Sequence, residues 1–283
     1  MDIQWFPGHM AKTRRIIGED LKLVDLVVEI VDARVPLSSR NPDIQNILNG
    51  KKEILVLNKS DMAEPKVTEA WVRYFKEGKG GSNVISVFSL NALKNQEFKH
   101  IIQQVRELGL PESKRYKQFN DTTVRAMVIG IPNTGKSTFI NTFNQKKKTV
   151  TGDRPGVTRG RQWVHTPWGV TLLDTPGVLW PKFEDPMVGL KLAFTGAVKS
   201  EVLNKEELAL KLIEWLRENR PELLTERYGV DLSGYPIEVY EAIAQKRGFI
   251  VGRGNIDYER TATTILTEFR SGKLGRISLE EPV

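Results

Sequence analysis

The sequence contains no cysteine and only three histidines in 283 residues. The first absence excludes disulfide frameworks, thiolate metal sites and thiol nucleophiles together, and it fits a reducing compartment. The second leaves few candidates for imidazole chemistry. No apolar run approaches the ~20 residues of a membrane span. The first ten residues, MDIQWFPGHM, have neither the basic start nor the apolar stretch of a secretory signal. A soluble, cytoplasmic protein with no membrane partner is the expectation. Internal repeats and low-complexity tracts are also absent. What the chain does have is 40% hydrophobic and 27% charged residues, enough to bury a sizeable core without a structural metal.

The formal net charge of +7 is unevenly spread. Residues 191–283 carry 14 basic against 15 acidic groups, so the last third is not basic. Residues 146–161 carry Lys146, Lys147, Lys148, Arg154, Arg159 and Arg161, opposed only by Asp153. On charge alone such a run reads as a solvated loop.

Short β-branched runs at residues 26–31, 53–57, 84–88, 124–129, 161–165 and 170–173 alternate with helical patterns at 44–48, 67–76, 97–108 and 136–143. That alternation predicts an α/β fold with a mainly parallel sheet. From residue 186 onward the strand patterns give way to amphipathic helices at 188–198, 205–218 and 258–269, with Pro221, Gly229, Gly234 and Pro236 as punctuation. A boundary near residue 180 is expected, dividing residues 1–180 from a small all-helical domain at 181–283.

The most specific motif is GIPNTGKS at residues 130–137, a full match to G-x-x-x-x-G-K-[ST] between a strand and a helix pattern. Gly130 and Gly135 let the backbone turn tightly, so that successive N–H groups surround phosphate oxygens. Lys136 is the candidate for the β- and γ-phosphates and Ser137 for Mg²⁺. Asn133, Thr134, Gly135 and Thr138 complete the loop's nucleotide-binding candidates. DTPG follows at residues 174–177, where Asp174 suits Mg²⁺ and the Gly177 N–H suits a γ-phosphate sensor. Between them, in PGVTR, Thr158 is placed to complete the Mg²⁺ shell when triphosphate is bound.

Base choice is read from Asn58, Lys59, Ser60 and Asp61 (NKSD) after the strand ILVL. An Asp carboxylate accepts from guanine N1–H and the 2-amino group together, a pattern adenine does not offer. Ser89, Leu90 and Asn91 (SLN) stand where a backbone N–H meets guanine O6, although a plain strand-to-helix turn accounts for the tripeptide equally well.

These base motifs precede the phosphate loop, the reverse of the ordinary GTPase order. NKSD, SLN, GIPNTGKS, PGVT and DTPG, with WFPGHM at residues 5–10 and DARVP at 32–36, together resemble the circularly permuted GTPases that assist ribosome assembly, most closely the bacterial ribosome biogenesis GTPase A family. The resemblance covers essentially the whole chain. It implies a P-loop GTPase domain of permuted motif order, Mg²⁺ as cofactor, and the large ribosomal subunit precursor with its rRNA as partner and activator. The permutation also leads the switch segments, residues 149–181, straight into the C-terminal domain, so that a γ-phosphate contact at Thr158 or Gly177 is expected to be felt as a shift of that domain.

Many GTPases carry a water-orienting Gln after DxxG, and this chain has Val178. Among the three histidines, His165 falls in a predicted strand and His100 in a helix distant from the motifs, whereas His9 follows Gly8 in WFPGHM. His9 is the favoured group to orient water; a surface histidine in a mobile N-terminus is the alternative. Asn133 matches the asparagine that potassium-dependent relatives use, so K⁺ is a second candidate cofactor, against a plain turn residue. For RNA, the candidates are the basic loop at 146–161, a basic linker at 114–117 (KRYK), and Lys246, Arg247 and Arg253 in the tail. The leading expectation is a GTP-hydrolysing factor that binds the immature large (50S) subunit with GTP and leaves on hydrolysis. The alternative is a nucleotide-gated RNA-binding or scaffold protein in which hydrolysis is incidental.

Overall fold

Strands that read as nearly unbroken apolar runs should be covered on both faces. In the structure, a computed structural model, β1 (Leu26–Asp32) and β2 (Glu53–Asn58) are buried along their whole length, and β4 (Val124–Ile129) at every position but Arg125. The structure describes residues 10–48, 50–79, 81, 83–94, 98–144, 162–177, 179, 183–198 and 204–282. His9, Thr158, Val178 and the basic run at 146–161 lie outside them.

With β3 (Val84–Leu90), β5 (Gln162–His165) and β6 (Val170–Asp174), these strands form a six-stranded sheet in the order β3-β2-β1-β4-β6-β5. All neighbours are parallel except the edge strand β5, which pairs antiparallel with β6. The chain moves outward from β1 to β3, then returns past β1 to β4. The topological switch point therefore lies between β1 and β4, and ligands bind such sheets in the crevice at the carboxyl ends of the strands there. The loops carrying DARVP and GIPNTGKS leave the sheet at that point.

Helices cover both faces. α4 (Phe98–Gly109) and α6 (Lys136–Phe143) bury Phe98, Ile101, Val105, Phe139, Ile140 and Phe143 against Leu26, Val28 and Ile30. On the opposite face α1 (Met10–Leu21) and α2 (Pro42–Leu48) pack Ile17, Leu21 and Leu48 on Val27 and Met127, and α3 (Pro65–Lys76) packs Trp71 and Phe75 on Leu55 and Leu57. The alternation of Leu26, Val28 and Ile30 with Val27 is the period-two pattern of a sheet covered on both faces. The stretch at 114–117, expected as a linker, is instead the first turn of α5 (Lys114–Phe119), because the Ser113 hydroxyl accepts from Tyr116 N and caps it.

Beyond residue 183 the described residues form mainly helices: α7 (Pro186–Phe194), α8 (Lys205–Asn219), α9 (Pro221–Tyr228), α10 (Pro236–Lys246) and α11 (Tyr258–Arg270). A two-residue antiparallel pair, β7 (Ile250–Val251) with β8 (Asn255–Ile256), interrupts them. Their core extends into the sheet domain through Val35, Ile131 and Leu179. The segment after α11 runs back along the loops after β1 and β2: Ile277 N donates to Met62 O, Leu279 N to Arg34 O, and the Glu280 carboxylate accepts from Leu37 N and from Ser38. Arg220 Nη2 donates to both carboxylate oxygens of Glu64 at 2.9 Å, and its Nε to Oε1 at 3.2 Å. Among the described residues no helix is long and apolar enough to cross a membrane.

Candidate nucleotide site

The loop after β4 needs its glycines. Gly130 and Gly135 have φ of 145° and 92°, and a Cβ on Gly130 would collide with Ile30 O of the neighbouring strand. Lys136 opens α6, and its Nζ donates to Ile131 O at 2.8 Å while Thr134 Oγ1 donates to the same carbonyl at 3.1 Å. The loop is thus curled around its own backbone. Burial, reinforced by the Lys59 charge, pushes the Lys136 ammonium down to about 8 against the opposing pull of Asp174. A buried cation at the N-terminus of a helix is a site built to receive an anion. Gly177 passes so close that a Cβ there would stand 2.8 Å from both Lys136 Nζ and Pro132 N.

Asp174 ends β6 fully buried, and Ser137 lies in the first turn of α6. No group of three carboxylates or histidines suited to hold a metal by itself occurs among the described residues. Mg²⁺ bound with a nucleotide asks for less, because phosphate oxygens and water fill most of its octahedral shell beside one or two protein oxygens. A buried carboxylate and a hydroxyl on either side of the phosphate loop fit that demand.

The candidate base-binding segments reach the same crevice from β2 and β3. Asn58, 2% exposed, donates from Nδ2 to Thr134 O at 2.7 Å and accepts at Oδ1 from Ala92 N at 2.9 Å. It ties the phosphate loop to the segment after β3. Lys59 adopts a left-handed conformation, φ 61°, and its Nζ bridges Asn133 O at 2.5 Å and Asp32 Oδ2 at 3.0 Å. Ser60 and Asp61 follow in a single 3₁₀ turn, Ser60–Met62. Asp61 Oδ1 is buried yet accepts no hydrogen bond among the described residues. A carboxylate oxygen held in that state is costly unless a donor such as guanine N1–H arrives. Ser89 and Leu90 end β3, and Asn91 Oδ1 turns back to accept from Leu93 N. Thr138 is half-buried in the first turn of α6.

Asn133, at φ 62°, donates from Nδ2 to Gly196 O at 2.7 Å, so the phosphate loop touches the end of α7. The tail candidates for RNA are split. Lys246 Nζ donates to Gly229 O, and Arg247 pairs with Glu268 at 3.3 Å while lying over the Tyr228 ring. Arg253, at the tip of the β7–β8 hairpin, is exposed and has no hydrogen-bond or ion-pair partner among the described residues. Two residues at the site carried no assigned role in the sequence: Asp32 and Arg34, whose side chains are buried and paired at 2.8 Å. A charged Asp-Ala-Arg directly after an apolar strand, at the sheet edge shared by the other motifs, was the available signal.

Residues 125–227 match the family model described as 50S ribosome-binding GTPase. Over the full chain the sequence is 46% identical to ribosome biogenesis GTPase A of Bacillus cereus, covering 95% of that protein, and 36% identical over 99% of the chain to mitochondrial ribosome-associated GTPase 1 of Mus musculus, covering 90% of it. The crystal structure of GNP-bound YlqF from T. maritima superimposes with a TM-score of 0.62 at 30% identity, covering 96% of this chain and 98% of that one. With the phosphate loop, the buried Asp174 and the Asp61 turn converging on one crevice, and with relatives this similar along the whole length, the chain belongs to the ribosome biogenesis GTPase A family and is a GTPase.

Proposed function

We propose that the protein is a cytoplasmic GTP-hydrolysing factor in assembly of the large ribosomal subunit, binding the precursor and its rRNA in the GTP state and leaving on hydrolysis. The observation that carries this reading is the convergence of Asp61, Lys136 and Asp174 at one end of the sheet, from three strands whose order in the chain is permuted. The working division of the chain stays near residue 180, with the helical region as the docking module.

In this reading Asp61 accepts from guanine N1–H and the 2-amino group, and Asn58 and Lys59 hold the base-binding segment against the phosphate loop. The backbone N–H groups of residues 133–138 and the Lys136 ammonium bind the phosphates. Ser137, Asp174 and, with triphosphate, Thr158 would hold Mg²⁺, which when bound offsets the negative charge of the phosphates. The Gly177 N–H reads the γ-phosphate. Water is oriented by His9, since Val178 has no group for it. The Asn133 amide nitrogen is committed to Gly196, so the amide oxygen is the end that serves K⁺. Arg253, Lys246, Arg247 and the basic run at 146–161 supply RNA phosphate contacts.

Sucrose-gradient co-sedimentation with immature large subunits tests this directly. A non-hydrolysable GTP analogue should bring the protein into the subunit fraction and GDP should not, with a steeper salt dependence in the analogue state. Equal sedimentation in both states would favour a scaffold.

A further inference from the structure

Parallel pairing of β1 with β2 sets Asp32 beside Asn58, one residue before Lys59. We propose that Asp32 and Arg34 are positioning residues for the guanine-nucleotide site: they hold Lys59 against the phosphate loop and make that hold depend on the seating of α11. The proposal rests on the assignment of the nucleotide site given above.

The Asp32 carboxylate is fully engaged. Oδ1 accepts from Arg34 N at 3.1 Å and Arg34 Nε at 2.9 Å, while Oδ2 accepts from Arg34 Nη2 at 2.8 Å and Lys59 Nζ at 3.0 Å. Burial alone would raise its pKa, but Arg34 and Lys59 outweigh that and hold the carboxyl far below the usual range. Lys59 therefore has two anchors, Asp32 on one side and Asn133 O of the phosphate loop on the other.

Arg34, 1% exposed, spends the rest of its guanidinium on the C-terminal region. Nη1 donates to Phe269 O at 3.3 Å, the guanidinium carbon stands 5.1 Å from the centroid of the Phe269 ring, and the Arg34 carbonyl accepts from Leu279 N at 2.8 Å. The neighbouring Arg270 donates to Phe194 O and Ala193 O, the last carbonyls of α7, two residues before Gly196. Gly196 O in turn receives the Asn133 side chain. The contacts close a ring: Asn133, Lys59, Asp32, Arg34, Phe269, Arg270, α7, Gly196 and Asn133 again. Two routes from α11 thus meet at one residue of the phosphate loop, one through its carbonyl and one through its amide.

A buried Arg–Asp pair that only stabilised the fold would need neither Lys59 nor Phe269. Here one carboxylate serves the base-binding lysine and the cation docked on α11 together. The fork of a guanidinium allows this, and the single point of a lysine ammonium does not. Displacing α11 would release one anchor of Lys59. By linkage, nucleotide that fixes Lys59 must tighten α11 by the same factor.

The test combines fluorescent-GDP titration with hydrogen exchange at residues 265–279, on the full chain. Wild type should gain amide protection there on binding GDP. Arg34→Lys should weaken GDP by roughly tenfold or more, from the lost charge-assisted hydrogen bonds, and should lose the GDP-dependent part of the protection. A purely structural role would lower protection equally with and without GDP. Phe269→Leu keeps an apolar side chain in the core but removes the ring beneath the guanidinium, and should weaken GDP about threefold or more; it serves if Arg34→Lys does not fold. Lys136→Ala is the control for the site. If it loses GDP while Arg34→Lys and Phe269→Leu bind as wild type does, the positioning role is overturned alone. If Lys136→Ala binds GDP normally, the site assignment falls and the positioning role with it.

Discussion

Asn58 links the two halves of the proposed nucleotide site, and its replacement is the most quantitative probe of the permuted arrangement. Its amide satisfies Thr134 O at 2.7 Å and Ala92 N at 2.9 Å, at positions 1% and 2% exposed. Asn58→Ala leaves a buried carbonyl and a buried N–H unsatisfied, each costing about 1–3 kcal/mol. The cost is shared between fold and ligand binding, because both segments also belong to the core. If one of the two bonds is expressed in nucleotide affinity, Kd rises roughly 5- to 150-fold. Asn58→Asp sharpens the case: one oxygen still accepts from Ala92 N, while the other faces the Thr134 carbonyl and repels it. GDP titration alongside thermal unfolding should therefore rank affinity wild type, then Ala, then Asp, with the Asp variant weaker despite its matching size. Should both variants bind GDP within about twofold of wild type, Asn58 does not hold the loop and this reading of the site is wrong.

Three further outcomes follow from the same geometry. The Lys136 ammonium, held at about 8 against an ordinary 10.5, leaves the unfolded chain binding more protons between those values, so its destabilising contribution is full below pH 8 and fades as pH rises towards 10.5; because phosphate favours the charged form, GDP binding above pH 8 should take up a proton, seen by calorimetry in buffers of different ionisation heat, and absence of uptake would count against Lys136 as the phosphate ligand. Asp61→Asn should lose roughly 10- to 150-fold in GDP affinity, through a lost charge-assisted bond, and shift preference towards a xanthine nucleotide, whose C2 carbonyl meets the new amide donor; an unchanged base preference refutes the assignment. Arg40→Leu strands the buried Glu29 and Glu53 carboxylates, each 2.8 Å from the guanidinium, and should cost about 3–5 kcal/mol of stability in urea titration.

The sheet was largely legible because its strands are apolar runs of the right length between turns; β4 and α6 coincide with their sequence patterns, and the other patterned elements differ by a few residues at their ends. Two of the helices without a sequence pattern, α9 and α10, share a cause. Pro221 and Pro236 read as breaks, yet each stands at the first position of a helix, α9 and α10, where the missing N–H costs nothing and the fixed φ helps. Gly229 likewise closes α9 in the left-handed conformation rather than opening a loop. The candidates Asp61, Lys136 and Asp174 stand out in the sequence because each lies at or just beyond the end of a strand, within a motif whose spacing the proposed chemistry dictates. Arg34 to Phe269, 235 residues apart, and Asn133 to Gly196, 63 apart, leave no local pattern. Nor does the pairing of the exposed Arg247 with the buried Glu268.

Single-turnover phosphate release from GTP, followed with and without immature large subunits, separates an assembly GTPase from a scaffold. Release should be slow from the protein alone and markedly accelerated by the subunit, and the acceleration should be lost in His9→Ala while GTP affinity is retained. Release at one rate whether or not the subunit is present, with nucleotide-independent binding to it, would contradict an assembly GTPase and leave hydrolysis without a role.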